Sequence, residues 1–166
     1  MENLNFDLTV NKETCSVHIT RDFNAGAALV WDVFTKPELL DMWWAPQPYK
    51  SETKSMDFKV GGRRLYAMVS PEGQKHWGVQ DYTSITPKTN FRQVNAFSDE
   101  EGNVGEDMPK SDWNLDFIDE DERTTVDILI KHEDLTNLEM MLQMGFKEGF
   151  TMTLNSLDEL FEKLKK

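Results

Sequence analysis

Between residues 56 and 132 the chain presents one strand-like run after another, and from 136 to about 164 a single helical one. That order constrains the fold more than any other feature. Met56, Phe58 and Val60 alternate until Gly61-Gly62, which reads as a bulge or sharp bend. Further runs cover 64–69, 75–85, 91–97, 113–118 and 124–131. Pro71-Glu72-Gly73, an acidic loop over 98–111 and the tight turn Asp119-Glu120-Asp121-Glu122 separate them. Strands joined by short turns pair antiparallel, and a helix that follows them all must bury its apolar stripe across one sheet face. The expectation is an α+β fold, a curved antiparallel sheet wrapped around a long C-terminal helix.

The N-terminal third fits that plan. Residues 6–10 and 15–21 alternate around the polar turn Asn11-Lys12-Glu13 and read as a hairpin. Asn24 is placed to cap a short helix over 25–34. Thr35-Lys36-Pro37-Glu38 has capping-box spacing with proline in the first turn, and opens a second helix through Trp43 and Trp44 that Pro46 and Pro48 end. Thr136-Asn137-Leu138-Glu139 is another capping box, with Leu135 spaced to staple onto Met140.

The last helix contains a contradiction. Gly145 and Gly149 lie in its middle, and each costs about 1 kcal/mol relative to alanine in a helix interior. At 100° per residue Leu138, Leu142, Gly145, Gly149, Thr153, Ser156 and Leu160 share one stripe, bulky at its ends and small between. Something must fill the space beneath. Sheet aromatics such as Trp113 and Phe117 pressing on the helix are one reading; a cavity for an apolar ligand is the other.

Composition limits the function classes. The 166 residues suit a single domain over 1–166, with 39% hydrophobic and 11% aromatic residues. No tract is long enough to span a bilayer, and residues 1–10 have no leader pattern. A lone cysteine, Cys15, excludes an internal disulfide and fits a reducing cytoplasm; its alternation with Val17 and Ile19 makes it a small buried hydrophobe. The formal net charge of −12, from 30 acidic against 18 basic residues, disfavours nucleic acid and anionic membrane surfaces. Acidic clusters at Asp99-Glu100-Glu101 and Glu106-Asp107 lack calcium-loop spacing.

Several stretches taken together resemble a known family. "FNAGAALVWDVFTKPELLDMWWAP", "DFKVGGRRLYAM", Gly78 early in the next strand and "MGFKEGFTMTLNSLDEL" are similar to the activator of heat-shock-90 ATPase homologue-like family, of the START-like (SRPBCC) superfamily. The resemblance covers about residues 19–164. It implies a helix-grip fold with a pocket between sheet and C-terminal helix, and carries Trp44 with Pro46, Gly61-Gly62, Gly145 and Gly149 as motif positions. Relatives often have an aromatic where Arg64 stands, so the polarity of that part of the pocket is open.

No H-E-x-x-H, G-x-S-x-G, phosphate-cradling loop or cysteine pair is present. His18, His76 and His132 fall on three different strands, so no metal site and no cofactor are expected. Strand parity puts His76, Gly78, Gln80, Tyr82 and Ser84 on one face, which the resemblance makes the inward one. Tyr66 and Met68 would join them on the neighbouring strand, and Trp113, Leu115 and Phe117 form an apolar row that reads as core or as pocket wall. Of Met140, Met141, Met144 and Met152, Met141 and Met152 flank the inner stripe. The expected pocket lining is therefore Trp44, Phe58, Tyr66, Met68, His76, Gln80, Tyr82, Trp113, Phe117, Met141, Gly145 and Gly149. Trp43 reads either as an interface aromatic or as ordinary packing.

Three functions are compatible with this reading. Binding of a hydrophobic or lipid-like small molecule ranks first. An enzyme of polyketide cyclase or hydrolase type, working with Tyr82 and His76, ranks second, since the resemblance implies such relatives. A co-chaperone acting on a chaperone ATPase, which the family name suggests, ranks third.

Overall fold

The computed structural model describes residues 6–106 and 109–164. Met1, where the leader reading begins, and Asp107 of the second acidic cluster lie outside them. The strands are β1 (Phe6–Asn11), β2 (Ser16–Phe23), β3 (Lys50–Met56), β4 (Arg63–Val69), β5 (Lys75–Thr86), β6 (Asn90–Ser98), β7 (Lys110–Glu120) and β8 (Arg123–His132). The helices are α1 (Ala27–Thr35), α2 (Pro37–Leu40), α3 (Leu135–Gln143) and α4 (Phe146–Leu164). All strands join one antiparallel sheet in the order β1-β2-β8-β7-β6-β5-β4-β3. Short turns explain that order: β3 to β8 meander in sequence, while α1 and α2 carry the chain from β2 to the far edge. This is the expected helix-grip architecture.

Alternation decides which face is inner. Val17, Ile19 and Phe23 on β2 and Val126, Ile128 and Ile130 on β8 are buried, and α4 sets Phe150, Leu154, Leu157 and Phe161 over the sheet. Phe161 meets Phe23 edge-on at 5.4 Å. Arg21, buried on the same face, is held by α4, donating to Asn155 at 2.8 Å and pairing with Asp158 at 2.6 Å.

Several local expectations are corrected. The C-terminal helix is broken: Gly145, at φ +88°, ends α3 in a left-handed conformation, and its N–H reaches the Leu142 carbonyl. Gly145 is therefore a helix stop rather than a weak point inside one. The break resets the phase, so the buried stripe of α4 runs through Phe150, Thr153, Leu154, Leu157 and Phe161, leaving Ser156 and Leu160 half-buried. Asp134, not Thr136, caps α3, accepting from the Asn137 N–H at 2.8 Å; Leu135 and Met140 are exposed. Gly26 rather than Asn24 precedes α1, and Thr35 returns its hydroxyl to the Trp31 carbonyl instead of capping α2.

The third strand starts earlier than the apolar alternation indicates, at Lys50, and Phe58 lies beyond its end. Gly61-Gly62 makes the expected bend. A Cβ on Gly62 would sit 2.1 Å from the Asp57 carbonyl oxygen, so only glycine fits. Cys15 lies in the β1–β2 turn at φ 54°, half-buried, not on a strand. Trp43 is buried at 2% exposure, with its indole N–H given to the Val33 carbonyl, so it is packing rather than an interface.

The acidic loop is folded. Asp99 accepts from the Glu101 and Asn103 backbone N–H groups and from the Asn103 amide. Those bonds to Asn103 favour the ionised form and hold the Asp99 carboxyl below its ordinary value. Arg63 ties the loop to the sheet by donating to the Gly102 carbonyl at 2.7 Å.

Candidate ligand cavity

The α3–α4 junction, the inner wall from β4 to β7 and the segment after α2 line a partly open cavity of about 670 Å³. Much of its surface is aromatic. Trp44 touches Tyr66, Trp113 and Phe150 at ring separations of 6.4, 5.9 and 5.9 Å. Phe146 and Phe150, one turn apart at the start of α4, stack at 5.4 Å and meet Trp113 edge-on. Tyr66 lies against the wall because Gly78 opposite carries no side chain; a Cβ there would stand 3.1 Å from the Tyr66 oxygen. Beneath Gly149 lies Pro46, 3.6 Å from where a Cβ would be, an ordinary contact rather than a forced one.

Behind the aromatic floor Arg64 is completely buried. Its guanidinium lies 4.2 Å over the Tyr66 ring and donates to Thr53 Oγ1, Gln80 Oε1, Ser51 Oγ and Asp41 Oδ1. Burial pulls its pKa down, and the neighbouring Tyr66, Tyr82 and Asp41 act against that. Asp41 also accepts from Ser51 and Thr53, so the ion pair ties the end of α2 to β3 and β4. Arg64 therefore supports the cavity wall from behind and does not line it. Burial raises the Tyr66 and Tyr82 phenols and keeps both protonated at neutral pH.

The family model for activator of Hsp90 ATPase homolog 1-like proteins matches residues 24–162. The chain belongs to this family. Among solved structures, protein Ms6760 from Mycobacterium smegmatis aligns at a TM-score of 0.85 with 24% identity, over 98% of this chain and 99% of its own. A protein from Arthrobacter aurescens gives 0.89 with 24% identity, over 95% and 91%. One from Staphylococcus epidermidis gives 0.82 with 24% identity, over 93% and 94%. These likenesses carry the fold. No curated protein matches the sequence significantly. Among the described residues no helix is long and apolar enough to cross a membrane, and no cluster of His, Cys, Asp and Glu could hold a metal.

Of the residues expected in the pocket, Trp44, Tyr66, Met68, His76, Trp113, Met141, Gly145 and Gly149 lie along the cavity. Phe58, Gln80, Tyr82 and Phe117 do not. Phe58, Tyr82 and Phe117 belong to a second aromatic cluster under α1, with Phe58 4.8 Å from Tyr82 and Phe117 5.0 Å from Trp31. Gln80 sits beside Arg64. Tyr82 and His76 therefore do not form one site: Tyr82 is buried in that cluster, while His76 is exposed at the rim, 6.4 Å from Tyr49. Met144, not Met152, joins Met141 at the cavity.

Sequence reasoning missed Pro46, Tyr49, Asn95, Ser111, Phe146 and Phe150. The last two had a signal, an aromatic pair at i and i+4, hidden by treating the helix as continuous. Asn95 had one too, since parity from Phe91 and Gln93 places it inward.

Proposed function

We propose that the chain binds a hydrophobic or lipid-like small molecule in the cavity beneath the α3–α4 junction. The observation that carries this reading is a cavity of about 670 Å³ walled by Trp44, Tyr66, Trp113 and Phe150. That size lies within the range of small-molecule pockets, and aromatic walls with few polar groups are their usual composition. Met68, Met141 and Met144 add unbranched, polarisable side chains that adapt to ligand shape. Family membership supports the same reading, since hydrophobic ligands are often bound on this fold.

Three tryptophans, Trp44, Trp77 and Trp113, along the cavity make the test direct. An environment-sensitive apolar dye titrated into the protein should saturate at about one per chain and shift tryptophan emission, with Trp44 and Trp113 as reporters. Native mass spectrometry of freshly purified protein should carry an extra mass on the order of a few hundred daltons. Folded protein that binds no member of a broad apolar panel would overturn the reading.

A further inference from the structure

Five polar side chains stand in one row across the inner face, where a sheet covered by a helix ordinarily buries apolar ones. Arg64 on β4 pairs in register with Gln80 on β5, Gln80 with Asn95 on β6, Asn95 with Ser111 on β7, and Ser111 with His132 on β8. Each is the direct cross-strand neighbour of the next. Arg64, Gln80, Ser111 and His132 are buried and Asn95 is half-buried. Of the five, Asn95 and Ser111 line the cavity.

The hydrogen bonds within this row have a common direction. A guanidinium and an indole N–H can only donate. Arg64 Nη1 therefore takes the oxygen of Gln80, and Trp113 Nε1, at 2.8 Å, takes a lone pair of Ser111 Oγ. Asn95 Oδ1 likewise accepts from Gln93 Nε2 at 2.8 Å. Each of these oxygens already takes one hydrogen bond, and the donor ends remain: the Gln80 amide nitrogen has no partner among the described residues, and the Asn95 amide nitrogen and Ser111 hydroxyl proton are given none. Thr153, the hydroxyl on the helix side, already donates to the Phe150 carbonyl.

The charge inventory agrees. In a chain with 30 acidic residues, no aspartate or glutamate lies along the cavity among the described residues. The ionisable side chains there, besides the tyrosines, are Lys75, His76 and Lys110, and the Lys75 ammonium turns to Glu52 at 3.8 Å. Burial lowers the pKa of His132, next in the row to Ser111, so at neutral pH it sets no cation beside the pair.

We propose that Asn95 and Ser111 hold the oxygen of an apolar ligand whose polar end only accepts hydrogen bonds, a carboxylate or a ketone, with its tail among Trp113, Phe146 and Phe150. This rests on the cavity reading above. With free donors on Asn95 and Ser111, and oxygens there that each already take one hydrogen bond, the pair favours an accepting oxygen over an ammonium group.

The test uses matched probes, dodecanoate, 2-dodecanone and dodecylamine, displacing an apolar dye from the intact protein and from Asn95→Asp. Aspartate keeps the shape and can still accept from Gln93, but replaces the free donor with an anion. The wild type should bind dodecanoate and 2-dodecanone at least about tenfold more tightly than dodecylamine. Asn95→Asp should weaken dodecanoate by about tenfold or more and strengthen dodecylamine. Asn95→Leu, which removes the donor without adding charge, should narrow the difference while retaining dye binding. Equal binding of all three probes, unchanged in both variants, would overturn the donor pair and leave the cavity reading standing. Failure of every probe and of the dye on protein that melts cooperatively would overturn both.

Discussion

Under α1, Trp31 stands 5.0 Å from Phe117, 5.6 Å from Phe91 and 5.9 Å from Phe58, and the cluster is closed. Under the α3–α4 junction a similar supply of rings, Trp44, Tyr66, Trp113, Phe146 and Phe150, surrounds about 670 Å³ of space. Both regions use the inner face of one sheet, and Trp43 and Trp44, 5.3 Å apart, mark the boundary, Trp43 facing Phe34 and Trp44 facing Phe150. The helices make the difference. Helix α1 is one uninterrupted segment that presents Trp31 and Phe34 to the sheet. The C-terminal helix is interrupted at Gly145 and carries Gly149 above Pro46, so at those two positions between Met141 and Thr153 no side chain reaches into the space. Aromatic content alone does not decide whether a core is solid; what stands opposite the rings does.

The contrast can be broken from its filled side first. Phe91→Ala removes a ring packed among Trp31, Phe58, Tyr82 and Phe117 and should cost about 3 to 5 kcal/mol. Met68→Ala, on the hollow side, should cost about 1 kcal/mol or less, because a side chain that borders space has fewer contacts to lose. Urea unfolding of the two variants measures both, and similar losses would mean that the cavity is filled in solution.

Gly149→Leu should fill the hollow side. The new side chain grows past Pro46, recovers helix propensity and buries apolar area, gaining about 1 to 2 kcal/mol. Dye binding should disappear while the melting temperature holds or rises. A large fall in melting temperature would mark overpacking and place the glycine among packing residues.

The two glycines should also part company under the same small change. Gly145→Ala forces a Cβ into a left-handed conformation at φ +88° and should cost about 1 to 2 kcal/mol. Gly149→Ala, in ordinary contact with Pro46, should gain about 1 kcal/mol. Thermal unfolding that moves both variants in one direction would contradict the helix break.

The smallest expected effect is a pH dependence at the end of β8. Burial lowers the His132 pKa below its ordinary value of about 6.5, so the unfolded chain takes up the proton first as pH falls. The stability it contributes is complete above that ordinary value and declines as pH drops below it. Melting temperatures across pH 8 to 5 (roughly the histidine range) should show a decline that His132→Phe lacks. Identical profiles would remove His132 as its source.

The strands from β4 to β8 were legible because hydrophobic alternation and turn chemistry are local and repeat over every pair of residues. The bend at Gly61-Gly62, the β7–β8 turn and the order of elements followed from the same local rules. Phe58 and Phe117 show where those rules stop: parity sends Phe117 inward and marks Phe58 as apolar, but not which end of the inner face each will occupy. Arg64 is read from its position as a change in pocket polarity, and only the approach of Asp41, Ser51 and Thr53 from other segments turns it into a buried support.

The sequence by itself determined that strands would pair in a meander and that a C-terminal helical segment would cover them, since periodicity and turn residues act within a few positions of one another. The tertiary structure decided that Gly145 stops a helix, that the rings under α1 close while those under α4 do not, and that Arg64, Gln80, Asn95, Ser111 and His132 align. Those outcomes depend on backbone angle and on register between segments tens of residues apart, and a pattern with a period of two or 3.6 residues carries no information about either.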